Sequence, residues 1–72
     1  KTLDLKMREL ITFCAICCLG GCEAQAKAHA AGNVSVGNTR ETMIQAITQC
    51  LPFIGFPRAL NAIACIDQAT QQ

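Results

Sequence analysis

The sequence predicts an all-α fold, a bundle of short antiparallel helices that works as an oligomer, and three observations carry that expectation. Apolar residues recur three and four apart along most of the chain, and no run alternates as a strand would. Glycines and prolines break this pattern at Gly20-Gly21, Gly37-Asn38 and Pro52 to Pro57, leaving connections of two or three residues that favour antiparallel neighbours. Finally, 51% of the 72 residues are apolar and only 15% are charged. A single domain of this length has a marginal core and cannot hide so much apolar surface by itself. The surplus should form a patch that a second copy covers, with the alanine-rich second helix and the Phe53–Phe56 segment as its expected place.

The first helix is expected over about Leu5 to Leu19. Leu3, Met7, Leu10, Ile11, Cys14 and Cys18 form its apolar stripe, Asp4 caps it, and Gly20-Gly21 ends it. A second helix runs from Cys22 or Glu23 to Val36. Ala24, Ala26, Ala28, Ala30 and Ala31 let its neighbours approach closely, and Glu23 meets the positive end of its dipole. Gly32-Asn33 weakens its middle and Gly37-Asn38 closes it. Thr39 caps a third helix with Glu41 in its first turn and Met43, Ile44, Ile47, Leu51 and Ile54 facing inward. Pro52 lacks a backbone donor, so a kink or end is expected there, with Gly55 as the break. Pro57 suits the first turn of a fourth helix, in which Leu60, Ile63 and Ala64 should point inward and Ala69 to Gln72 should fray. Residues 1–72 read as one domain.

Six basic and five acidic residues are dispersed along the chain, with a net charge of +1. Without a basic cluster or an aromatic stripe, nucleic-acid binding has little support. The six cysteines are crowded into helical patterns, four of them between Cys14 and Cys22, where a disulfide framework would scatter them among loops. They read as small core residues in a reducing compartment, the cytoplasm. Cys14-Ala15-Ile16-Cys17 has redox spacing but lies mid-helix on an apolar run, so packing explains it better. Lys6 and Arg8 before an apolar run that ends at Leu19-Gly20-Gly21-Cys22 have the order of a lipoprotein signal. Asp4 and Glu9 spoil its basic region, however, and the run is too short to span a membrane. No metal site is expected, since one histidine and clustered cysteines lack zinc-ligand spacing. No cofactor-binding motif is present either.

His29, the only histidine, follows Gln25 by four residues and Cys22 by seven. All three therefore share a stripe of the second helix. Cys22 and His29 are separated by a rise of roughly 10 Å, too far for direct contact. Cys22 at a helix start is a candidate nucleophile, or it simply fills a small site at the turn. Glu9 on the first helix is a candidate partner that fixes the tautomer of His29, or a solvated residue on an outer face. His29 itself, on the residues alone, reads better as a capped, partly buried core histidine.

Arg8-Glu9-Leu10-Ile11, Gly20-Gly21-Cys22-Glu23-Ala24-Gln25, His29, Gly37-Asn38-Thr39-Arg40-Glu41 and Pro52-Phe53-Ile54-Gly55-Phe56-Pro57-Arg58-Ala59-Leu60-Asn61-Ala62 resemble the carboxymuconolactone decarboxylase family over about residues 4 to 66. The resemblance implies an alkylhydroperoxidase-like helical hairpin bundle, assembled as a trimer or hexamer with active sites near subunit contacts. Family members usually carry a further helix upstream, and a chain starting at Lys1 is expected either to be a core version or to have lost that part. Two activities go with the family. One is decarboxylation of a small carboxylated lactone. The other is a thiol peroxidase cycle that uses a Cys-x-x-Cys pair, a histidine four residues on and an upstream glutamate.

On that pattern Cys22 matches the first cysteine, His29 the histidine and Glu9 the glutamate, while Gln25 replaces the second cysteine. A dithiol cycle needs one thiolate to attack and another to resolve, so the resemblance implies the decarboxylase-like branch. It also implies a general-acid role for His29 and an orienting role for Glu9. Arg58 is expected to bind a substrate carboxylate, with Arg40 the weaker choice. A peroxidase using Cys22 and a non-catalytic assembly domain are the alternatives.

Overall fold

Asp4 turns the start of the chain into helix by accepting a hydrogen bond from the Met7 amide at 2.8 Å. In the computed structural model, which describes residues 3–71, α1 then spans Leu5–Leu19, α2 Glu23–Ser35 and α3 Arg40–Thr70. Thr39 caps α3 through its hydroxyl, which accepts from the Thr42 amide. No strand occurs among the described residues, so the chain is all-α.

α3 is not straight. Gly55 stands at φ 81, ψ 168, outside helical values, a conformation that glycine adopts without a Cβ penalty. The chain doubles back there. Arg40 Nε lies 2.9 Å from Asp67 Oδ1, although a straight helix would hold residues 27 apart at roughly 40 Å. The expected third and fourth helices are therefore two limbs of α3, residues 40–54 and 56–70, with the break at Gly55 as expected. By length and composition alone α3 would suit a membrane span. Neither limb reaches the roughly 20 residues that a bilayer core requires.

α1 and α2 form a second antiparallel hairpin, turned by Gly20 and Gly21, both at positive φ. The two hairpins enclose one core. Phe13, Met43, Ile47 and Ile66 are fully buried at its centre, and Cys17, Ala26, Ala30, Ile54, Ala59, Ala62 and Cys65 surround them. Two expected faces differ. On α1 the buried residues are Phe13 and Cys17, whereas Leu3, Met7 and Ile11 are exposed. Apolar residues surround this helix, so periodicity alone did not single out its buried side. On the second limb of α3, Leu60 and Ala64 point outward, and Ala59, Ala62, Cys65 and Ile66 are buried instead. The turn at Gly55 resets the helical phase, which a pattern extended from the first limb misses. Helix continues to Thr70, past the expected fraying point at Ala69, and Lys1 and Gln72 lie outside the described residues.

Candidate functional site

Antiparallel packing brings an early residue of α1 against a late one of α2. Glu9 Oε1 stands 3.2 Å from His29 Nδ1, with the two side chains 24% and 37% exposed respectively. Because Nδ1 faces the carboxylate, Nε2 is the ring nitrogen available to anything bound beside the pair. Gly32, one turn beyond His29, provides the room. A methyl group added there would stand 2.8 Å from Glu9 Oε1 and 3.3 Å from its carboxyl carbon.

Asn33 fixes the two backbones. Fully buried, it donates from Nδ2 to the carbonyl of Glu9 at 3.1 Å and to that of His29 at 2.8 Å. Its Oδ1 accepts from Asn38 Nδ2 at 2.8 Å, and Asn38 also donates to the Lys6 carbonyl at 2.9 Å. Two asparagines thus tie the start of α1 to the end of α2. Sequence reasoning missed both, reading them as residues that weaken or close a helix. The available signal was that Asn33 follows His29 by four residues and so shares its stripe.

A cavity of about 480 Å³ opens at the other end of the α1–α2 hairpin, where Gly20, Cys22, Arg58 and Asn61 are among its lining residues. Cys22 precedes α2 without capping it, and its thiol donates to the Gly20 carbonyl at 3.5 Å. Arg58 reaches across Gly20 so closely that a Cβ there would meet Nε at 2.7 Å, and its Nη1 donates to the Ile54 carbonyl at 3.3 Å. Cys22 and Arg58 thus share this cavity, whereas Glu9 and His29 do not line it. Gln25 is exposed. Arg40 is engaged with Asp67 on the surface.

The family model for the carboxymuconolactone decarboxylase family matches residues 1–68. The chain belongs to this family. No curated protein and no solved structure matches it. In this carboxymuconolactone decarboxylase family chain, Glu9 and His29 form a partly buried carboxylate–imidazole pair. Among the described residues no group of three histidine, cysteine or acidic side chains is arranged to hold a metal ion.

The cysteine-rich part of this family member behaves as core. All six thiols are free. Burial, followed by the neighbouring Cys50, pushes the Cys14 thiol up to about 12. Burial and then Cys65 push Cys17 to about 12 as well. Neither residue of the Cys14-x-x-Cys17 spacing is therefore a ready thiolate near neutral pH. Both thiols ionise more easily in the unfolded chain, near 9.0, than in the folded one. Their contribution to stability is thus complete below about pH 9 and lost as pH rises toward 12. Urea midpoints measured under reductant should fall across that window, and a Cys14→Ala/Cys17→Ala variant should show a shallower fall.

Proposed function

We propose that this family member is a decarboxylase-like enzyme acting on a small carboxylated lactone or a related organic acid. The observation that carries the reading is the Glu9–His29 pair, held at 3.2 Å. When a carboxylate leaves as carbon dioxide, its bonding electrons stay on the substrate ring. A protonated imidazole meets that charge and donates a proton to the carbon from Nε2. Glu9 orients the ring through Nδ1 during the step. Cys22 and His29 are seven residues apart, close to two full turns, so both come to the same side of α2. Arg58 lines the cavity at the other end of the hairpin together with Cys22, so a carboxylate that it grips would lie in that cavity, apart from the Glu9–His29 pair. The thiol-peroxidase alternative has less support, because Gln25 stands where its second thiol belongs.

The working form is a homo-oligomer, a trimer or a hexamer by family analogy, in a reducing compartment such as the cytoplasm. Exposed apolar residues support the assembly: Phe53 is 88% exposed and Phe56 67%, with Leu60, Ile11 and Leu19 also on the surface. Carbon dioxide release from a panel of carboxylated lactones tests the activity. Gly32→Ala should lower that release about tenfold or more by displacing the Glu9 carboxylate. Alanine is the better helix former by about 1 kcal/mol, so the unfolding midpoint should hold or rise. A wild-type protein that releases no carbon dioxide from any of the panel would end this reading. Peroxide reduction lost in Cys22→Ser would instead favour the thiol reading.

A further inference from the structure

Three of the thiols gather outside the Arg58 cavity and away from the Glu9–His29 pair. Cys14 and Cys18 are four residues apart on α1, so they share a stripe of that helix. Cys50 lies on the first limb of α3, which packs against α1. All three are partly buried and packed against the same core, and Cys50 is the neighbour that, after burial, helps to raise both the Cys14 and the Cys18 thiol. Cys14 and Cys18 cannot pair with each other without distorting α1. Helix positions four apart hold their Cβ atoms about 5–6 Å apart, beyond the roughly 3.5–4.5 Å of a disulfide. Any bond formed inside the cluster must therefore include Cys50.

We propose that Cys50 is the centre of a reversible redox site, in which it forms a disulfide with Cys14 or Cys18 and locks α1 to α3. The oxidant is a small aliphatic disulfide. One protein thiolate attacks a sulfur of that molecule, forms a mixed disulfide and expels one small thiolate. The second protein thiol gives its proton to solvent and attacks the protein sulfur of the mixed disulfide, expelling the other. Two protein thiols lose two electrons, and the small disulfide becomes two thiols. Burial holds Cys14 and Cys18 in the protonated form, so the reaction is slow near neutral pH and answers sustained oxidation rather than a brief pulse. The closed bond spans residues 18 to 50, or 14 to 50, and ties the two helical hairpins of a small domain together. Such a link restricts the unfolded chain.

Oxidised glutathione is the probe. After incubation the full chain should lose two hydrogens by intact mass, and peptide mapping should find Cys50 joined to α1. Cys14→Ala and Cys18→Ala should each retain a Cys50 bond to the cysteine that remains, whereas Cys50→Ala should show no bond from α1 to α3. The oxidised form should melt roughly 10 °C higher or more, and reductant should reverse the shift. A bond mapped to Cys22 or between two chains would overturn the proposal. So would glutathione left on Cys50 without ring closure, or an unchanged mass loss in Cys50→Ala.

Discussion

His29→Ala should lower the rate constant for decarboxylation by about 10²- to 10⁴-fold, the range typical of a removed general acid. The Michaelis constant should change little, since an interaction made mainly in the transition state affects kcat more than binding. Folding should be almost indifferent. The side chain is 37% exposed, and an ion pair this close to solvent contributes about 1 kcal/mol or less. Glu9→Gln tests the orienting role separately. Its amide oxygen can still accept from Nδ1, but the carboxylate charge that faces the ring is gone, so kcat should fall by a smaller factor than in His29→Ala. Carbon dioxide release measured alongside urea midpoints checks both variants. An unchanged kcat in His29→Ala would remove the histidine from the chemistry.

Asn33→Ala should produce the largest loss of stability available from a single polar side chain here. Its amide gives two hydrogen bonds to main-chain carbonyls and accepts one from Asn38, all at zero exposure. Removing it leaves the buried Asn38 amide one partner short, and the Glu9 and His29 carbonyls each lose their side-chain donor. The expected cost is about 2–4 kcal/mol, seen as a melting point lower by roughly 10–20 °C. Asn38→Ala should be milder, because Asn38 contributes one bond to Asn33 and one to the Lys6 carbonyl. The two losses share a bond, so the double variant should cost less than the sum of the singles. A loss below about 1 kcal/mol in Asn33→Ala would mean that water replaces the clamp without penalty.

Local chemistry made much of the fold legible. Asp4 and Thr39 cap the helices at the expected places, the α1 bounds agree with Leu5 to Leu19, and Gly55 is where α3 turns. These are decisions of one or two residues, written in side-chain oxygens and a missing Cβ. Facing is a longer-range matter. α1 is apolar around most of its circumference, so only α2 and α3 determine that Phe13 and Cys17 go inside. Beyond Gly55 the helical phase depends on how sharply the chain returns, and Leu60 fell on the outer side. The candidate site was partly legible for the same reason. Glu9 and His29 were matched by residue type and spacing, and the fold brings them together. Gly32 and Asn33 escaped notice because their value lies in what α1 presents to them. The separation between the Glu9–His29 pair and the Arg58 cavity was hidden as well, since it follows from where α3 crosses the hairpin.

Asn33 grips the carbonyls of residues 9 and 29 and leaves their side chains alone. The spacing of the two positions is consequently a property of the main chain, insensitive to which acid, base or nucleophile each one carries. A helical hairpin fastened in this way can exchange its reacting groups without rebuilding the frame that aligns them. Changes at positions 9 and 29 would alter the reaction while the fold persisted. Changes at Asn33 would threaten the fold whatever the reaction was.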